Sequence, residues 1–336
     1  MDEAYKIVLS PRLRECPDPL FRGLPLNQRK TYIPLGTPLE VQSNSEYVIG
    51  AADHSFSSYG EPSTDTKPSI VIRICVDPVH RRGRPWPKIH YRALHHLFHL
   101  TCGDSNFAIA DLRSGTAVGF VTEEMAQDRS FFCLTFLECL FHVLAVHQRL
   151  TPVHCSCVSW KGSAILICGV SGAGKSTLAY ACGKAGMQIV SDDVVHLAHK
   201  DSNGGILLWG NPWLLRLLPE ARALFLELDP IVPESRSQGE LYLGVDVLKH
   251  CAGGICVSCQ PSLLLFLERN SNVSYKLSRL SSNVVLRRLQ QDILLDTQKV
   301  IERHDALLGQ LAQLPAYRLE YSGHPMLVTE LIKTLV

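Results

Sequence analysis

One stretch, residues 163–193 (SAILICGVSGAGKSTLAYACGKAGMQIVSDD), constrains this chain more than any other. The apolar run 164–168 reads as a buried strand. It leads into Gly169, Val170, Ser171, Gly172, Ala173, Gly174, Lys175 and Ser176, which fit G-x-x-x-x-G-K-[ST], a phosphate-binding loop. The residue types answer to the chemistry. Glycines let successive backbone N–H groups turn inward toward phosphate oxygens. Lys175 supplies a compact positive charge for the β/γ-phosphates, and the Ser176 hydroxyl is a ligand for Mg²⁺. From Thr177 the pattern is helical, so the positive end of a helix dipole faces the same phosphates. A strand before the loop and a helix after it are the flanks that this motif requires.

After that helix, residues 187–191 (MQIVS) read as a short strand ending in Asp192 and Asp193. Carboxylates at a strand end beside a P-loop suit the two remaining tasks of phosphoryl transfer. One helps to hold the metal, and the other takes the proton of an attacking hydroxyl. An Asp-Asp pair alone would equally suit a turn or a helix cap. Its short tether to the loop favours the site.

Residues 152–197, PVHCSCVSWKGSAILICGVSGAGKSTLAYACGKAGMQIVSDDVVHL, resemble the core of the HPr serine kinase/phosphorylase family. The likeness consists of a His-bearing strand, a turn, a strand, GxSGxGKS, a helix and a strand ending in Asp-Asp. It implies that Lys175 and Ser176 bind phosphate and Mg²⁺ and that Asp193 is the proton acceptor, and the reading of the acidic pair then leaves Asp192 to help hold the metal. It also implies that His154 belongs to the active site; from the residues alone His154 would be a half-buried strand histidine. The implied fold is an α/β P-loop kinase core with a mixed sheet of PEP-carboxykinase-like topology. The family's second signature, an acidic Arg- and Gly-containing stretch, has no counterpart here, and GILLWGNPWLLRLLPEARALF (205–225) stands in its place. The resemblance is therefore closer to HPr-kinase-related proteins, some of which are tailoring kinases of ribosomally made peptides such as lasso peptides. It implies transfer from ATP to a hydroxyl, with serine of a peptide or small protein as the expected acceptor.

A length of 336 residues implies two domains. The expected division is a smaller strand-rich N-terminal domain over 1–125, a candidate for substrate recognition or oligomerisation, and a catalytic domain over 126–336. With 46% hydrophobic and 19% charged residues the chain has the composition of a globular protein. A net charge of +1 argues against nucleic acid as a general partner. The N-terminus lacks the basic-then-apolar order of a signal peptide. The apolar stretch 131–147 contains Glu138 and His142 and reads as a buried or amphipathic helix, not a membrane span. A cytoplasmic protein without membrane partners is expected, with a homo-oligomer as a candidate state. The twelve cysteines then read as reduced thiols. Cys251, Cys256 and Cys259 have a spacing akin to a plant-type iron–sulfur site but lack a fourth thiolate, so packed thiols are expected. His90, His95, His96 and His99 lack a full ligand set and read as surface residues.

In chain order, YKIVL, YVIGAA and SIVIRICVD read as strands and 80–92 as a solvated basic loop. Residues 106–121 read as a hairpin about Arg113, Ser114 and Gly115. Residues 128–149 read as a helix on the kinase core, and VVHLAHK with GILLWG as a hairpin. WLLRLLPEARALFLEL is expected to be helical with a break at Pro219, followed by a long loop within 229–261. A strand at 262–270, helices near 282 and over 296–313, a strand AYRLEYS and a terminal helix complete the reading. Arg216, Arg269 and Arg288 are the candidates for neutralising the transferring phosphoryl group. Three other classes were weighed. An ABC-type ATPase needs an LSGGQ signature that is absent. A small-molecule kinase is equally compatible with the motif. A nucleotide-regulated binding module would have no use for Asp193 and His154.

Overall fold

The computed structural model describes residues 25–63, 65–77, 85–200, 204–235, 240–269, 274–290 and 298–336. Two mixed sheets dominate it. The first is built from β1 (Gln28–Tyr32), β2 (Leu39–Ser43), β3 (Ile70–Asp77), β4 (Ile89–Leu94), β5 (Leu97–Cys102), β6 (Asn106–Asp111) and β7 (Thr116–Thr122). Its order is β1-β2-β3-β7-β6-β5-β4, parallel at β2–β3 and β3–β7 and antiparallel elsewhere. Alternating residues of β3 (Ile70, Ile72, Ile74) and β6 (Ala108, Ala110) point to one face. That face is covered by α1 (Glu46–Phe56) and α2 (Arg129–Gln148).

Two expectations fail in this unit. YVIGAA, read as a strand, lies in α1: Val48, Ala51, Ala52 and Phe56 are buried at helical spacing, and Glu46 sits in the first turn. The helix 128–149, expected on the kinase core, packs on the N-terminal sheet instead. Its Phe132, Phe136, Leu140, Phe141 and Leu144 join the cluster formed by α1 and β3. The first cluster takes in this helix up to Leu150 and, from the second unit, only Ala198 with Trp209 packed against it, so this helix packs with the first sheet. Among the described helices α2 alone is long and apolar enough to cross a membrane, and half of that stretch is buried inside the protein. The run YKIVL lies outside the described residues.

The second unit contains β8 (Thr151–His154), β9 (Ser156–Trp160), β10 (Ser163–Cys168), β11 (Gln188–Ser191), β12 (Val194–His199) and β13 (Ile206–Trp209). A three-stranded sheet of β14 (Leu214–Leu217), β15 (Glu234–Ser235) and β16 (Leu241–Asp246) lies beside them. The chain then returns through β17 (Ser258–Arg269), β18 (Tyr275–Arg279) and β19 (Ala316–Tyr321). The large sheet has the order β11-β9-β10-β17-β13-β12-β8, with β19 joining β17 to β18. The β10–β17 and β17–β19 pairs are parallel and the others antiparallel, so the sheet is mixed, as expected.

Strand β10 is buried on both faces. Ile165 and Ile167 pack toward α3 (Lys175–Lys184), while Ala164, Leu166 and Cys168 pack toward α4 (Ser282–Leu289) and α5 (Gln298–Leu311). This sandwich fixes the strand from which the P-loop springs.

The segment expected as a helix at 213–228 is not one. Leu215 and Leu217 alternate inward from β14, a period of two, and 3₁₀ turns follow at Pro219–Ala223 and Leu226–Leu228. The long loop expected within 229–261 likewise carries β15 and β16. The final helix is shortened to Thr329–Lys333, because the turn at Pro325–Val328 is 3₁₀. The four histidines lie along the β4–β5 hairpin, where His90 is paired with Thr101 and Arg92 with His99.

Candidate functional site

The loop 169–174 leaves the end of β10 and enters α3. Gly174, the residue before the helix, has φ 95°, a left-handed conformation that glycine adopts without a steric penalty. A Cβ on Gly169 would lie 3.2 Å from both the Leu267 carbonyl oxygen and the Ala173 methyl, so the loop hugs β17. Lys175 is only 8% exposed, and its ammonium donates to the Gly169 carbonyl at 2.8 Å. The lysine is thus folded back over the loop.

Strand β11 delivers the acidic pair to the same place. Ser156 on β9 donates its hydroxyl to the Asp192 carbonyl, and Ser191 donates to the Val194 carbonyl at 2.6 Å, which pins the turn. Asp192 is 4% exposed. Its Oδ2 accepts the Arg216 backbone N–H at 2.7 Å, whereas its buried Oδ1 has no hydrogen-bond partner. Burial pushes this carboxyl above the usual carboxylate range, and the Asp193 charge adds to the effect. The Ser176 hydroxyl and the Arg216 amide oppose it. An orphaned carboxylate oxygen beside a P-loop serine is a site for a hard dication, so Asp192 and Ser176 fit Mg²⁺.

Asp193, the next residue, faces outward. Its Oδ1 lies 3.3 Å from His154 Nδ1, with the Asp193 side chain 55% exposed. Two adjacent aspartates therefore occupy different environments: one is buried and turned to the loop serine, the other is open and paired with an imidazole.

A cavity of about 520 Å³ joins these groups. His154, Lys175, Ser176, Thr177, Asp193 and Arg216 all line it. The expected residues Ser171, Gly172 and Gly174 line it as well, while Gly169, Val170 and Ala173 border a second cavity on the β17 side. The arginine candidates separate on this geometry. Arg216 lines the P-loop cavity, with its guanidinium 5.9 Å from the Tyr242 ring centre. Arg288 faces the second cavity and is paired with Glu268 at 3.0 Å. The Arg269 side chain lies outside the described residues.

Glu220, Glu240 and Tyr242 also line the P-loop cavity, and the sequence reading missed them. The signal was present in LYLGVD (241–246), whose alternating burial is that of a strand. Cys251 is buried against the α3 glycine Gly183, and Cys256 and Cys259 are hydrogen-bonded to each other at the start of β17. Among the described residues no group of three or more His, Cys, Asp or Glu side chains is placed to hold a metal ion.

No protein-family model matches the chain, and no curated protein matches it. Among solved structures it has a weak likeness to the HPr(Ser) kinase/phosphatase from Coxiella burnetii. The identity is 16% over 55% of this chain and 95% of that one, with a TM-score of 0.30.

Proposed function

We propose that the protein is an ATP-dependent kinase that transfers the γ-phosphoryl group to a hydroxyl, with serine of a peptide or small protein as the acceptor. The observation that carries this reading is the division of labour within the acidic pair. Asp192 is buried beside the Ser176 hydroxyl with one oxygen unpartnered, and Asp193 stands open in the P-loop cavity beside His154.

The loop amides and Lys175 hold the phosphates of ATP. Asp192 and Ser176 would hold Mg²⁺, which supplies positive charge to the phosphate oxygens. Asp193 accepts the acceptor's proton as its oxygen bonds to the γ-phosphorus, and the bond to the β-phosphate oxygen breaks to release ADP. His154 orients Asp193 through the 3.3 Å contact. Arg216 offers its guanidinium to the oxygens of the transferring group, where donors already in place lower the barrier most.

A small-molecule acceptor is the alternative, and competition between candidate acceptors separates the two. The nucleotide half of the proposal is tested by titrating a fluorescent ATP analogue into Lys175→Ala. The expected result is loss of binding with the far-UV circular dichroism unchanged. Affinity equal to the unaltered protein would refute the assignment.

A further inference from the structure

The first sheet has two edges, and they are built differently. At β1 the cations are neutralised: Arg29 pairs with Glu40 at 3.8 Å and Lys30 with Asp53 at 2.6 Å. At β4 no ion pair is formed among the described residues. Strand β4 is the last in the sheet order, so one side of its backbone is unpaired among the described residues. Tyr91 is 54% exposed and Leu94 50% exposed, and Lys88, His90 and Arg92 are exposed beside them. Between Lys88 and Cys102 the hairpin carries Lys88, Arg92 and four histidines but no carboxylate.

Edge strands are commonly guarded by a bulge, a proline, a short length or charged side chains. Of these, β4 has only charge, from Arg92 and from Lys88 just before the strand. It runs six residues without proline, and its register with β5 is unbroken from Ile89↔Cys102 to Leu94↔Leu97. A regular edge whose outer N–H and C=O groups have no partner among the described residues, with two cations (Lys88 and Arg92) and two exposed apolar side chains, is suited to pairing with another extended chain.

We propose that the β4 edge binds an acidic peptide segment in extended conformation, which adds to the first sheet as an eighth strand. The ladder supplies main-chain hydrogen bonds, and Lys88 and Arg92 select for acidic side chains at alternate positions. This concerns binding alone and is independent of phosphoryl transfer.

The test uses the full chain without nucleotide and a fluorescein-labelled decapeptide of alternating glutamate and valine, followed by fluorescence anisotropy. Saturable binding is expected, with none for the alternating lysine and valine peptide. The double variant Lys88→Glu, Arg92→Glu should weaken binding roughly tenfold or more, because like charges then meet across the ladder. Both positions are exposed, and circular dichroism checks that the variant folds. The same peptide N-methylated at alternate residues should not bind, because it cannot complete the ladder. Four results would each overturn the proposal. These are no saturable binding, equal binding of the N-methylated peptide, indifference to the double variant, and displacement of the peptide by a single-stranded oligonucleotide at equal concentration.

Discussion

Replacing Asp192 by asparagine should make the protein more stable and less able to respond to magnesium. The carboxyl is 4% exposed, and one of its oxygens is buried without a hydrogen bond. Its pKa is raised in the folded chain, chiefly by burial. Folding therefore favours the protonated form. The penalty on the ionised form is present in full above the folded pKa and disappears as pH falls toward the unfolded value. Asparagine keeps an oxygen for the Arg216 amide, which Asp192 Oδ2 accepts at 2.7 Å, and removes the charge. A buried polar group without a full hydrogen-bond complement costs about 1–3 kcal/mol, and more when charged. With the charge gone, the asparagine Nδ2–H can donate to the neighbouring Ser176 hydroxyl. At about 2–4 °C per kcal/mol for a domain of this size, Asp192→Asn should raise Tm by roughly 2–12 °C at pH 7 without magnesium or nucleotide. The gain should shrink as pH is lowered toward 4. Magnesium should reverse the order: a dication at 100 times its Kd stabilises the unaltered protein by about 2.7 kcal/mol, and the asparagine variant by much less. Differential scanning fluorimetry over a grid of pH and MgCl₂ reads all of this. A Tm below that of the unaltered protein at pH 7 without magnesium, or an equal magnesium shift in both, would refute the reasoning.

Two further outcomes follow from titratable groups outside the site. His196 on β12 stacks on His142 of α2 at 5.3 Å, and burial pushes its pKa down to about 3. The unfolded chain takes up that proton first, so stability should fall as pH drops from about 6.5 toward 3, and His196→Phe should lose less stability over that window in acid titration followed by fluorescence. Cys256 is lowered to about 6 by the hydrogen bond from the Cys259 thiol, while burial raises Cys75, Cys102 and Cys139. Among the described cysteines, iodoacetamide at pH 7 should therefore alkylate Cys256 first, and Cys259→Ala should slow that reaction, as read by peptide mass spectrometry.

The strand, loop and helix over 163–184 were legible because the apolar run, the glycines and the helical pattern follow one another without ambiguity, and Gly174 takes the left-handed conformation expected of a glycine there. The hairpin at β6 and β7 was legible from alternation and a glycine turn. What failed were segments whose period is ambiguous. LLRL has too few residues to separate a period of two from one of 3.6, and Pro219 close behind it suits either a strand end or a helix start. YVIGAA reads as β-branched and aromatic by composition, yet its burial at positions 48, 51, 52 and 56 is decided by the sheet beneath it. The packing partner of α2 was beyond reach for the same reason: apolarity says that a helix is buried, not against what. Placing Arg216 on the P-loop cavity and Arg288 on the other one required the structure, since the chain after β11 and strand β14 meet only in three dimensions.

The central claim is that Asp193 accepts the proton of a hydroxyl while Asp192 serves the metal. Its most direct test is transfer of label from γ-³²P-ATP to a serine-containing peptide library, for the unaltered protein and for Asp193→Asn and Asp192→Asn, across a magnesium series. Asp193→Asn should bind nucleotide normally and lose about 10²–10⁴-fold in transfer at every magnesium concentration, the usual contribution of a positioned base. Asp192→Asn should recover partly at high magnesium. Near-normal transfer by Asp193→Asn, or its rescue by magnesium, would contradict the account.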